Sequence, residues 1–315
     1  MFEGCPWKVS SYEITLNSFS MVTLKPGNVR VGGVDLRNHL ILAAGVLGTT
    51  GSSLARILRS GAGGVVTKSI GPEPFSGHPG PCVAVYEDGV LNAMGLPNPS
   101  KDFCNEIEGL RGEPVIASVF GGNPEEFREV ASWFTGHVRG IELNLSCPHA
   151  EGYGAAIGTD PDMVRECTHA VASLGLPTWV KLTPNVADIG ECGRAAERGG
   201  ASAIVAVNTV KAMRISTALR RPVLGHGIGG LSGPAIFPIA VRCVYELYDA
   251  CRIPIIGCGG VATADQVVEM MMAGAEAVEV GTAVLQGVDI FSAIAHALYA
   301  PGGIDADEIV GCAHA

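Results

Sequence analysis

Apolar residues in this chain fall into short runs that stop at a small or polar residue, each run followed by a longer stretch whose apolar positions recur every three or four residues. The runs are His39–Gly45, Gly64–Lys68, Pro114–Val119, Gly140–Ser146, Pro177–Thr183, Ser202–Asn208, Pro254–Gly257 and Ala277–Gly281. Such near-continuous apolar character is that of parallel strands buried on both faces. The stretches between predict helices over Ser52–Ser60, Pro124–Phe134, Asp160–Leu174, Val186–Arg198, Pro234–Ala250, Thr263–Met272 and Ile290–Tyr299. Asn123-Pro124 and Asp160-Pro161 mark two starts, because Asn or Asp caps a helix and Pro fits its first turn.

This alternation predicts an α/β chain folded as a (β/α)8 TIM barrel, with residues 31–315 as its single domain and residues 1–30 as an amino-terminal extension of unassigned role. A doubly wound open sheet is the alternative. It would normally carry a Gly-rich dinucleotide turn in its first unit, where this chain has only Ala43-Ala44-Gly45. Two connections exceed a simple helix. Residues 70–113 contain strand-like runs at Cys82–Tyr86 and Val90–Ala93, and residues 210–233 are rich in Arg and Gly. Both leave carboxyl ends of strands, the face where barrel enzymes keep their chemistry, and are expected to roof it.

Composition narrows the setting. Apolar residues at 47% and charged residues at 17% suit a compact folded chain. No apolar run approaches the ~18 residues of a membrane helix. No basic-then-apolar leader opens the sequence, so a soluble, cytoplasmic protein is expected, with Met21 a second candidate start. A formal net charge of −10 repels polyanions, so nucleic acid is not expected as a partner and any anionic ligand needs local cations. The 10 Cys form no Cys-x-x-Cys pair, which points to reduced thiols and to no metal or iron–sulfur site on this chain.

Candidate chemistry lies at the strand ends. Of few lysines, Lys68, Lys181 and Lys211 fall there. A lysine rising from an apolar wall either pairs with a neighbouring Glu or awaits an anionic ligand. Gly257-Cys258-Gly259-Gly260 after the seventh strand and Gly281-Thr282 after the eighth suit a phosphate held on backbone amides, the plain alternative being tight turns. Strand alternation sets Asn144 and Ser146 on one face, opposite Leu143 and Leu145. Cys147 then opens the loop ahead of Gly152-Tyr153-Gly154. It is either an inert small residue or a base whose thiol, ordinarily near ~8.5, a neighbouring Lys would acidify. Asn92, Asn208 and Thr209 suit a planar ligand with alternating C=O and N–H groups, whereas Asn98, between two prolines, reads as a turn residue.

Together, Val66-Thr67-Lys68-Ser69, Asn92-Ala93-Met94-Gly95-Leu96, Asn144-Leu145-Ser146-Cys147-Pro148, Val180-Lys181-Leu182-Thr183-Pro184, Val207-Asn208-Thr209, Gly230-Leu231-Ser232-Gly233, Gly259-Gly260 and Gly281-Thr282 resemble dihydroorotate dehydrogenase in its class 1B form. The resemblance implies an oxidoreductase of pyrimidine biosynthesis, a flavoprotein whose FMN phosphate rests on Gly233, Gly259, Gly260, Gly281 and Thr282. Lys181 would lie near the ring, and Ala44, Lys68, Ser69, Ser118, Asn144 and Val207 would complete the pocket. Dihydroorotate would be held by Lys68, Asn92, Met94, Gly95, Leu96, Asn144, His149, Asn208 and Thr209. Cys147 would take a proton from carbon five while a hydride leaves carbon six. Relatives of class 2 use Ser as the base and carry a hydrophobic extension, and neither feature is present.

The class 1B form further implies an electron-transfer subunit carrying FAD and a [2Fe–2S] cluster and passing electrons to NAD, in a homodimer or heterotetramer without membrane or nucleic acid. One departure is His149, where the family usually has Asn. It keeps one donor and one acceptor when neutral, whereas an imidazole, unlike a carboxamide, can take up a proton. Two other expectations stand beside this one: a dihydropyrimidine dehydrogenase-like flavoenzyme for uncharged uracil-type rings, and a colourless, non-catalytic barrel that binds a phosphate ligand.

Overall fold

The computed structural model describes residues 22–145 and 157–314. Eight strands close into a parallel barrel: β1 (Leu40–Leu42), β2 (Gly64–Val66), β3 (Val115–Val119), β4 (Gly140–Asn144), β5 (Thr178–Leu182), β6 (Ala203–Ala206), β7 (Ile255–Cys258) and β8 (Ala275–Val280). Each pairs with its neighbours in chain order, and β8 returns to β1. The helices are α1 (Gly51–Arg59), α2 (Phe103–Ile107), α3 (Pro124–Ser132), α4 (Pro161–Ala172), α5 (Ile189–Arg198), α6 (Phe237–Ala250), α7 (Ala264–Met272) and α8 (Ile290–Leu298). The (β/α)8 barrel expected from the apolar pattern is therefore the fold.

Helix ends follow their caps. Asn123 and Asp160 accept from the first-turn N–H groups of α3 and α4 as their sequences predict, and Thr263 and Gln266 form a reciprocal capping box on α7. Each such cap stabilises its helix by about 1 kcal/mol. The helix expected from Val186 starts instead at Ile189, because Asp188 takes the capping position and accepts from Glu191 N. The one expected over Pro234–Ala250 divides into a tight 3-10 turn, Pro234–Ile236, and α6. Pro238 has no N–H to offer the carbonyl of Pro234, so one continuous α-ladder cannot form there.

Leu42, Leu143, Val180 and Ile204 face outward into the layer shared with the helices, while Ile41, Val66, Trp179, Val205 and Ile256 fill the barrel interior. The amino end of the cylinder is closed by a hairpin, Val29–Val31 with Val34–Leu36. Val31, Val34 and Leu36 join the interior cluster, each contributing roughly 1.5–3 kcal/mol by burial. At its turn Gly32 (φ +51°) lies so close that a Cβ would sit 2.6 Å from Ala203 Cβ, and its carbonyl accepts from Trp179 Nε1 at 3.1 Å. Leu24 is fully buried and its N–H donates to Leu298 O at 2.8 Å. Of residues 22–30, assigned from the sequence to an extension, Leu24 is buried against the barrel, Lys25–Asn28 are exposed, and Val29 and Arg30 belong to the hairpin.

At the opposite end the two long connections meet in a four-stranded antiparallel sheet, in the order Val210–Ala212, Gly229–Ser232, Gly89–Asn92, Val83–Tyr86. The last two match the strand-like runs of the sequence. The first two were not legible: Gly229-Gly230 has no side chain to signal a strand, and its pairing is supplied from far along the chain by Leu91 and Asn92. No helix among the described residues is long and apolar enough to cross a membrane.

Candidate active site

The roof sheet and the carboxyl ends of the strands enclose a cavity of about 340 Å³. Its walls come from nearly every unit of the barrel. Ala44 enters after β1, and Lys68 and Ser69 after β2. The roof brings Asn92, Met94, Gly95 and Leu96. Asn144 and Lys181 come from β4 and β5, and Val207, Asn208 and Thr209 follow β6. Gly259, Gly260, Gly281 and Thr282 stand after β7 and β8.

Among the residues singled out from the sequence, two lie just behind this wall. Ser118 is fully buried, its Oγ 2.9 Å from Ser69 Oγ. Gly233 (φ +95°) backs onto Gly260, whose Cβ, if it had one, would lie 2.8 Å from the Gly233 carbonyl. Lys211 does not reach the cavity: it stands exposed on a roof strand, so its place after the sixth strand did not make it a site residue. Asn98 is the turn residue expected, its carboxamide accepting from Gly71 N and Ser100 N. Cys147 and His149 lie outside the described residues.

The glycine cradle has a physical cause. Gly259 (φ +135°) and Gly260 (φ +76°) adopt backbone conformations that L side chains rarely take, and a Cβ on Gly260 would also meet Phe237 Cβ at 2.8 Å. Short 3-10 turns start beside the cradle at Pro234 and Thr282, but Pro234 has no N–H and the amides of Ala235 and Ile236 donate to the carbonyls of Asp88 and Gly233, so the turn at Pro234 offers none of these to a ligand. Thr282 Oγ1 donates to Ser232 Oγ at 2.8 Å, tying the end of β8 to the roof.

Charge inside the cavity is organised by two lysines. Lys68 is 8% exposed, and its Nζ lies 3.4 Å from the Gly45 carbonyl. Lys181 combines both roles weighed for such lysines: it lines the cavity and also pairs with Glu279, with Glu142 at 3.8 Å. Burial disfavours its ammonium, but its interactions with Cys258, Glu142 and Glu279 outweigh this and hold its pKa above the ordinary lysine value. Burial, then Glu279, push the Glu142 carboxyl well above the usual carboxylate range, with Lys181 only partly opposing.

These two glutamates were missed from the sequence. The signal was available: Glu142 and Glu279 are charged residues set inside apolar strand runs, and Glu142 is two residues from Asn144, on the same face.

Comparison with known proteins adds an independent line. The family model for dihydroorotate dehydrogenase matches residues 27–300. A protein of Methanocella arvoryzae named dihydroorotate dehydrogenase B (NAD(+)), catalytic subunit, is 53% identical over 290 residues, 90% of this chain and 96% of that one. Its namesake in Methanosarcina acetivorans is 55% identical over 293 residues, covering 90% and 94%. Among solved structures, a dihydroorotate dehydrogenase of Eimeria tenella in complex with ferulenol superposes with a TM-score of 0.78 at 20% identity, covering 91% of this chain and 88% of that one, a likeness of fold.

Proposed function

Because the chain belongs to the dihydroorotate dehydrogenase family, we propose that it oxidises dihydroorotate to orotate, a step of pyrimidine biosynthesis, with FMN as its resident cofactor. The observation that carries this reading is the convergence of Lys68, Lys181, the asparagines and the glycine cradle on one roofed cavity.

The residues present fit FMN. Gly259 and Gly260 bring bare backbone to the cavity wall, packed from behind against Ala240, Gly233 and Phe237 with no room for a Cβ, and backbone at such a wall suits a phosphate dianion. Lys181, on the cavity floor, offers its N–H donors to a ring that gains electron density on reduction. When bound, the flavin supplies the acceptor for the hydride that leaves carbon six of dihydroorotate.

The chain's own groups divide the remaining work. Lys68 holds the substrate carboxylate, an anion that a protein of net charge −10 otherwise repels. Asn92, Asn144 and Asn208 present donors and acceptors to the ring's amide edges and fix which face meets the acceptor. Met94, Gly95 and Leu96 of the roof exclude water from above. Cys147, in the segment that follows Leu145 at the end of β4, takes the proton from carbon five. His149 completes the substrate contacts.

Electrons then leave through a second subunit carrying FAD and a [2Fe–2S] cluster, with NAD as final acceptor. Support for this comes from the relatives, whose names include a catalytic subunit and NAD(+). The reading includes a cytoplasmic site of action.

A reading as a uracil-type dehydrogenase is disfavoured by Lys68, which an uncharged ring does not need. Purified protein should show flavin absorption and turn over dihydroorotate but not dihydrouracil. Turnover of dihydrouracil alone, or a colourless protein that takes up no FMN, would reject the assignment. Isolation of the native complex tests the partner: an iron–sulfur flavoprotein should accompany this chain.

A further inference from the structure

The floor of the cavity is a layer of titratable side chains on four strands: Glu142 of β4, Lys181 of β5, Cys258 of β7 and Glu279 of β8. Both glutamates are fully buried, and Lys181 and Cys258 nearly so. Two residues back on three of these strands stand Trp179, Ile256 and Ala277, all apolar and fully buried, so no water reaches the layer from below.

Charge balance in such a layer is constrained. One ammonium faces two carboxyls, and burial raises the Cys258 thiol to about 12, so it stays protonated. Besides Lys181 and Glu279, the group acting on Glu142 is the Ser118 hydroxyl of β3, which carries no charge. With both carboxyls ionised, the layer would hold an uncompensated buried anion, whose cost in a low dielectric is several kcal/mol. Keeping one proton on the pair makes the layer neutral. Lys181 Nζ meets both carboxyls, Glu279 through a hydrogen bond and Glu142 at 3.8 Å, while both oxygens of Glu142 and Oε1 of Glu279 are buried without a hydrogen-bond partner among the described residues, so a single proton is held between two carboxyls gathered at one ammonium.

We propose that Glu142 and Glu279 share one proton beneath the cavity and thereby cancel the charge that Lys181 would otherwise present to the ring lying above it. The glutamates are positioning residues. Glu279 anchors Lys181 Nζ through its hydrogen bond, and the shared proton sets the net charge of the floor at zero. Loss of either carboxyl is self-correcting, since Lys181 then ionises the one that remains. Loss of both leaves the ammonium unbalanced. The consequence for the ring rests on the flavin assignment above, whereas the shared proton does not.

Infrared spectroscopy of the full-length protein tests the proton directly. The wild type should show a buried protonated-carboxyl stretch that persists across the neutral pH range, and both Glu142→Gln and Glu279→Gln should lose it. Absence of the band in the wild type, or its survival in both variants, overturns the shared proton. The wild-type spectrum decides even where a variant fails to fold.

The effect on the ring is read from the affinities of oxidised and reduced FMN. The double variant should favour reduced over oxidised FMN by at least about tenfold relative to wild type, and each single variant should stay within about threefold. A double variant with the wild-type ratio overturns the charge-setting role. Protein that takes up no FMN while retaining the infrared band rejects the flavin assignment and leaves the shared proton standing.

Discussion

Asn208 donates through Nδ2 to Oδ1 of Asn144 at 3.2 Å, linking the chain after β6 to the end of β4 across the intervening strand that carries Lys181. Asn144 in turn donates to Ser69 Oγ at 3.1 Å, and Ser69 meets Ser118. One carboxamide thus connects three separate edges of the cavity.

Replacing that carboxamide should be felt in both folding and activity. Asn144→Ala strips partners from two polar groups, at a cost of about 1–3 kcal/mol. A lowered urea midpoint together with a drop in turnover of at least about tenfold is expected. A variant with wild-type midpoint and turnover would show that the connection is incidental.

Lys68→Ala should act on substrate. Loss of a charge-assisted bond of roughly 1.5–3 kcal/mol raises the KM for dihydroorotate by about 10- to 100-fold. Bound flavin, measured by absorbance, should change far less. An unchanged KM would remove Lys68 from carboxylate binding.

Cys147→Ser should slow oxidation by about 10²–10⁴ near neutral pH with flavin retained, because a hydroxyl gives up its proton far less readily than a thiol. Rate should recover as pH rises. A variant as fast as the parent at neutral pH would exclude this residue as the base.

Stability should also vary with pH through His39. Burial lowers the pKa of its imidazole, with Asp307 opposing, and the ring Nδ1 lies 3.1 Å from Tyr299 Oη. Above the ordinary imidazole value of about 6.5 the ring is neutral in both folded and unfolded chains, and its contribution is constant. As pH falls through that value, the unfolded chain binds a proton that the folded chain refuses, so stability declines until the lower folded value is reached. Thermal melts of His39→Gln should be flatter over this interval than those of the parent. Parallel curves would assign the acid sensitivity elsewhere.

Much of this architecture was legible in the sequence, for identifiable reasons. Strands such as Gly140–Asn144 are buried along their whole length, so their apolar runs are unbroken, and caps at Asn123 and Asp160 punctuate the helices that follow. The site was legible where chemistry is scarce, as with Lys68, Lys181 and the paired glycines. It failed where meaning depends on a distant partner. Lys211 sits at the right distance from a strand but on the roof's outer surface, and Glu142 and Glu279 acquire their role only when the closed barrel brings residues 142 and 279 together around Lys181. The roof strand Gly229–Ser232 exists because Leu91 and Asn92 offer it an edge, which no local pattern records.

The hairpin wedged against Trp179 and Ala203 makes the cylinder a cup rather than a tube. Among the described residues the open side of this cup lies under the roof. Entering dihydroorotate and departing orotate therefore pass through the same vestibule and compete for it.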